Sequence, residues 1–223
     1  MRCLEGPFWF IIIENMCGNR RATLKSAKGK IEDALVQVYT GNGKGKTTAA
    51  LGLALRAAGH GFKVRIIQFM KGSTYYGELY SAEKLAPEVE IYQFGRGCRI
   101  QDAIRDGKSK CDGCMECFVT KGNVMRTDLE LTAEAYVLAL KTLKRAEADV
   151  VVLDELTNAI FFDLLTTEDC VKLINSRAKG VEVIITGRNA PQEILDLADL
   201  VTEMKLIKHP YDKGISARRG IEY

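Results

Sequence analysis

The stretch "YTGNGKGKTTAA", Tyr39 to Ala50, decides how the chain folds. Just before it, "LVQVYT" (35–40) is short, apolar and β-branched, and reads as a buried strand. Just after it, Lys46 to Ala58 sets apolar residues at helical spacing among good helix formers, and Gly59 closes the run. A glycine-rich turn between strand and helix is a phosphate-binding arrangement. Small residues let consecutive N–H groups point inward, and the helix N-terminus adds partial positive charge. The general pattern is G-x-x-x-x-G-K-[ST]. Gly45-Lys46-Thr47 fits its end, and Thr40 stands where its first glycine belongs. Thr40, Gly41, Asn42, Gly43, Lys44, Gly45, Lys46, Thr47 and Thr48 are therefore the expected nucleotide-binding residues. Lys46 can reach the terminal phosphates as a catalytic cation, and the Thr47 hydroxyl suits Mg²⁺.

Working outward, "KVRIIQFM" (63–70), "VEIYQF" (89–94), "DVVVLDE" (149–155), "VEVIIT" (181–186) and a run near Leu200 to Ile207 read as further strands. Helices are expected from Gly77 to Ala86, ahead of Pro87, and from Leu129 to Ala148, opened by Thr127 and Glu130 at capping-box spacing. Two more should follow Thr166 and Pro191. Strands that are apolar throughout and alternate with helices predict an α/β, P-loop NTPase-like (RecA-like) fold. Its sheet is doubly wound and mainly parallel, with helices on both faces. Ligands of such sheets bind at the carboxyl ends of the strands. The glycine turn and Asp154-Glu155 both sit at such ends. Asp154 and Glu155 join Thr47 as Mg²⁺ candidates. Glu155 has three open roles: a general base orienting water, a metal or hydroxyl ligand, or a helix cap.

With 223 residues, 47% hydrophobic and 27% charged, the chain suits one α/β domain of ordinary globular composition. A formal charge of +3 does not announce nucleic acid, and neither nucleic acid nor membrane is an expected partner. Basic residues cluster at Arg20, Arg21, Lys25, Lys28 and Lys30, and again from Arg96 to Lys110. "PFWFIII" (7–13) is far shorter than the roughly 20 residues of a membrane span. Residues 1–34 read as an N-terminal arm, with 1–15 either a local element or an artefact of start-site choice. Residues 35–223 form the P-loop domain. Seven cysteines without a convincing signal peptide imply a reducing, cytoplasmic compartment.

Several longer stretches occur in one order: "YTGNGKGKTTAALGLALRAAGHGFKV", "IQFMKG", "VVVLDELTNA", "VIITGRNAP", "ILDLADLVTEM" and "KHPYDKGISARRGIEY". Together they resemble the P-loop corrinoid adenosyltransferases, which act on cob(I)alamin and cob(I)yrinic acid a,c-diamide. The likeness runs from about Leu35 to Tyr223, apart from a cysteine-rich insertion at about 95–122. It implies that Co(I) of a reduced corrinoid attacks the 5′ carbon of ATP and that inorganic triphosphate leaves. It also implies that Lys46, Thr47 and Glu155 serve that departure with Mg²⁺. Arg188, Lys208, His209 and Arg219 become candidates for nucleotide or corrin contacts, and Phe94, Cys98 and Ile100 for the corrinoid pocket. A homodimer and an electron-donor protein for Co(II) complete what the likeness implies.

Cys98 and the C-x2-C-x2-C run Cys111, Cys114 and Cys117 place four thiols in one loop, a set that suits Zn²⁺ or an iron–sulfur cluster. From loop and carboxylates alone, an ATPase or phosphotransferase is the alternative enzyme. A metal-sensing or nucleic-acid-binding module built on the cysteine loop is a further reading, which leaves the C-terminal tail unexplained.

Overall fold

The computed structural model describes residues 29–111 and 113–223. The expectations for residues 1–15 and for the basic cluster from Arg20 to Lys28 lie outside the described residues. Six runs pair into one sheet: β1 (Val36–Thr40), β2 (Val64–Phe69), β3 (Val89–Phe94), β4 (Val150–Asp154), β5 (Glu182–Thr186) and β6 (Leu200–Glu203). Their order is β3-β2-β4-β5-β1-β6, and every pairing is parallel. The connections carry α1 (Lys46–Gly59), α2 (Gly77–Lys84), α3 (Gln101–Arg105), α4 (Arg126–Arg145), α5 (Leu156–Phe161), α6 (Thr167–Asn175) and α7 (Gln192–Asp196). A 3₁₀ turn, Pro210–Lys213, lies in the tail. No helix among the described residues is long and apolar enough to cross a membrane.

Successive strand side chains point to opposite faces, so an apolar run feeds two cores. Val38, Ile67, Phe69, Leu153 and Ile185 pack with Ala139 and Leu143 of α4, Leu156 of α5, Leu173 of α6 and Ile194 of α7. Tyr39, Ile66, Val152 and Ile184 face the other way, onto Ala50 and Ala54 of α1 and Ala82 of α2. Small alanines four residues apart let α1 lie close to the sheet. Leu153 and Ile185 are fully buried, each worth about 1.5–3 kcal/mol by burial alone. The doubly wound expectation holds, with helices on both faces.

Three local readings change. The helix expected to open at Thr127 begins at Arg126. Asp128 accepts from the Met125 N–H (2.8 Å) while also binding Arg96 Nε (2.8 Å). That ion pair spans 32 residues and makes Asp128, rather than Glu130, the carboxylate of the first turn. The last strand stops at Glu203, because Met204 turns across the phosphate loop instead of extending the sheet. Helices α3 and α5 were not expected, because five and six residues are too few for apolar spacing to reveal a helical period.

Candidate active site

The phosphate loop takes its shape from its neighbour as much as from its own glycines. Gly41 and Gly45 have φ of 96° and 114°, in the left-handed region that favours glycine. A Cβ on Gly43 would lie 2.5 Å from the Met204 carbonyl oxygen. The Gly43 N–H donates to that oxygen (2.5 Å), and the Met204 N–H donates to the Thr40 carbonyl (2.8 Å). Thr40 is the last residue of β1, paired with Glu203. The turn therefore starts at Gly41. Thr40 occupies extended backbone that a β-branched residue favours, which explains why the motif tolerates threonine there. Lys46 folds back over the loop, its Nζ donating to the carbonyls of Gly41 (2.8 Å) and Gly43 (2.9 Å). Burial lowers its pKa, opposed by the charge of Glu155.

Asp154, at the end of β4, is completely buried and has four donors. Thr47 Oγ1 (2.9 Å) and Thr186 Oγ1 (2.6 Å) reach Oδ1, while Gln68 Nε2 (3.0 Å) and Lys71 Nζ (2.8 Å) reach Oδ2. Gln93 Nε2 donates to Gln68 Oε1 (2.9 Å) and so fixes the direction of the Gln68 amide. Burial works against the Asp154 charge, but the Lys71 ammonium and the bonds from Lys71, Thr186 and Thr47 outweigh it. Its carboxyl is held below the usual range. Glu155 has φ 63°. Its N–H donates to Thr186 Oγ1 (2.9 Å) and its carboxylate accepts from Asn158 Nδ2. Burial, and then Asp154 beside it, push its carboxyl up. Asn158 Oδ1 in turn accepts from the Arg188 N–H (2.7 Å), so α5 fixes the loop after β5.

Beside these groups lies a cleft of about 1390 Å³, above the roughly 300–1,000 Å³ of most small-molecule sites. Asn42 through Thr48 line it, with Lys71, Glu155, Arg188 and His209. An apolar wall is added by Leu51 and Leu55 of α1, Leu85 after α2, Ile91 of β3, and Leu206 and Ile221 of the tail. The tail is fastened to the loop. Lys44 Nζ lies 3.2 Å from Glu222 Oε1, and Tyr223 packs edge-on against Tyr75, which leans on Tyr76. Bonds from Arg218, and more weakly from Lys44, hold the Glu222 carboxyl down to about 2.

Several expected residues lie elsewhere. Thr40 and Gly41 shape the loop without lining the cleft. Lys208 is exposed in the tail, and the Arg219 guanidinium lies near Gly107 rather than in the cleft. Phe94, Cys98 and Ile100 do not line it either. Phe94 packs toward the main core, and buried Cys98 donates its N–H to Ser73 Oγ (3.1 Å). The loops after β2 and β3 cross there, with Gly72 and Gly95 so close that a Cβ on either would overlap the other loop's backbone. That crossing turns the residues after β3 away from the cleft. Gln68, Lys71, Tyr76 and Thr186 were missed; only the strand order brings three of them to Asp154.

Cys98 is buried, Cys117 half-buried, and Cys111 and Cys114 exposed. Among the described residues no three His, Cys, Asp or Glu side chains are arranged to hold a metal. Arg96 ties the cysteine loop to the end of β3, donating to the carbonyls of Glu116 (3.2 Å), Phe118 (3.2 Å) and Asn123 (3.3 Å). Burial, and then Cys98 nearby, push the Cys117 thiol up. Burial pushes the Cys170 thiol up to about 12, which makes it an inert packing group.

A parallel sheet, a glycine loop between β1 and α1, and a buried carboxylate at the end of β4 facing the loop's threonine define a P-loop nucleotide-binding protein. Within that class, the chain belongs to the ATP:corrinoid adenosyltransferase family BtuR/CobO/CobP, whose model matches residues 32–223. It is 36% identical to the corrinoid adenosyltransferase of Escherichia coli K12, over 88% of this chain and 89% of that one. It is 37% identical to corrinoid adenosyltransferase CobA of Salmonella typhimurium LT2, over 91% and 92%. To the Pseudomonas aeruginosa corrinoid adenosyltransferase it is 32% identical, over 89% and 88%.

Proposed function

We propose that the protein transfers the 5′-deoxyadenosyl group of ATP to the cobalt of a reduced corrinoid and releases triphosphate. Co(I) supplies an electron pair to C5′, the C5′–O bond breaks, and the triphosphate leaves with that bond's pair. The observation that carries this reading is the cleft. It sets a phosphate loop and an apolar wall around one space of about 1390 Å³, more than most small-molecule sites occupy. Lys44 and Lys46 set fixed positive charge where the leaving group gathers negative charge, which is how preorganised sites lower such barriers. Thr47, Asp154 and Glu155 offer hard oxygen donors, and the Lys71 ammonium already lies within 2.8 Å of Asp154 Oδ2 and 3.4 Å of Thr47 Oγ1. A cation is thus accommodated where Mg²⁺ would sit, and these donors fit it. Mg²⁺ held there would offset charge on the departing triphosphate.

The test is product analysis with ATP, Mg²⁺ and chemically reduced corrinoid. Triphosphate formed one-to-one with adenosylated corrinoid is expected. ADP or orthophosphate with no adenosylated corrinoid would mean the alternative enzyme, an ATPase or phosphotransferase.

The reading extends to parts that rest on family likeness. It includes a homodimer, to which β6 would bring a sheet edge exposing Leu200 and Val201. It also includes a cytoplasmic setting and an electron donor for Co(II). The four thiols of the cysteine loop are proposed to bind Zn²⁺ or an iron–sulfur cluster by drawing together from the described arrangement, in which they are not yet gathered and the Arg96 clamp keeps Cys117 near Cys98.

A further inference from the structure

The backbone of Lys71 is closely placed at the edge of the cleft, which leaves its side chain to choose a partner. Lys71 follows Met70, whose φ of 61° turns the chain sharply at the end of β2, and precedes Gly72 at the crossing with Gly95. Its ammonium lies 2.8 Å from Asp154 Oδ2, 3.4 Å from Thr47 Oγ1 and 5.9 Å from the centre of the Tyr76 ring. The side chain is 19% exposed, and that exposed part faces the cleft. The ammonium thus lies against Asp154 and Thr47, two of the three residues that would hold a divalent metal. A metal and an ammonium cannot share them, because like charges at that spacing repel strongly in a buried site.

Resting on the Mg·ATP reading above, we propose that Lys71 is a substrate-binding residue with two positions. Without nucleotide it keeps Asp154 neutralised and closes the metal position. With metal and ATP bound, Lys71 would give up Asp154 and its ammonium would bind the triphosphate. The site would then admit metal only together with the polyphosphate that takes over the lysine. Neither Lys46 nor Lys44 is bonded to Asp154 or Thr47, so neither occupies the metal position. Lys46 is held by loop carbonyls, and Lys44 by Glu222 at the cleft rim.

The experiment measures Mn²⁺ binding by the loss of its free EPR signal, in wild type, Lys71→Gln and Lys71→Met, with and without ATP and with no corrinoid present. Inhibition of transfer by inorganic triphosphate is measured alongside. Lys71→Gln keeps a donor for Asp154, so it preserves the fold if Lys71→Met does not; thermal melting distinguishes these cases. In a folded variant, Mn²⁺ should bind about tenfold more tightly without nucleotide, and triphosphate should inhibit about tenfold more weakly, the size of one charge-assisted hydrogen bond. Unchanged Mn²⁺ affinity together with unchanged triphosphate inhibition in Lys71→Gln would overturn the proposal and leave Lys71 a fixed partner of Asp154. If wild type shows no ATP-dependent Mn²⁺ binding at all, the Mg·ATP reading fails instead.

Discussion

At the scale of single residues, the site is a set of buried charges kept apart by fixed donors. Lys46 is the clearest case, since it is held over the loop by two carbonyls in the place where a phosphate oxygen would replace them. Lys46→Ala is expected to lower adenosyl transfer by about 10²–10³-fold, the usual cost of removing one preorganised charge-stabilising donor. Steady-state rates with reduced corrinoid, on a variant shown to be folded by thermal melting, check this. Turnover within a few-fold of wild type would remove the role. Lys46, Thr47, Asp154 and Glu155 were all legible in sequence, because each belongs to a local pattern of strand, turn and helix. Gln68, Lys71 and Thr186 were not. They reach Asp154 from the ends of neighbouring strands β2 and β5, and no local pattern states which strands lie side by side.

At the scale of elements, five strands fall within a residue or two of where their apolar runs begin and end. Two of the departures share a cause. Arg126 starts α4 because Asp128 is drawn to Arg96, and β6 ends at Glu203 because Met204 is needed by the Gly43 N–H. Both are contacts between segments distant in sequence. The cysteine loop belongs to this scale too, because the crossing of Gly72 and Gly95 carries it away from the cleft. Purified anaerobically, the protein should carry one Zn²⁺ or one iron–sulfur cluster per chain, and Cys117→Ser should lose it. Elemental analysis and visible absorbance check this. Metal-free wild-type protein with full activity would show that the four thiols serve no metal.

At the scale of the whole molecule, the sheet brings the phosphate loop, the Asp154 carboxylate and the loop after β5 to one rim, and the tail folds over them. The tail is the part least determined by local sequence. Its hold on the cleft comes from Glu222 pairing with Lys44 and from Tyr223 against Tyr75, contacts that span more than 140 residues. The result is a cleft lined by both the charged phosphate loop and apolar side chains, which grips a triphosphate as a leaving group rather than activating its last phosphate. That distinction is the central claim, and it can be tested on the bond itself. With β,γ-imido ATP, whose terminal bridge resists cleavage, Mg²⁺ and chemically reduced corrinoid, the account predicts adenosylated corrinoid and intact imidotriphosphate, at a rate close to that with ATP. No transfer from the imido analogue, with ADP and phosphate formed from ATP itself, would contradict it.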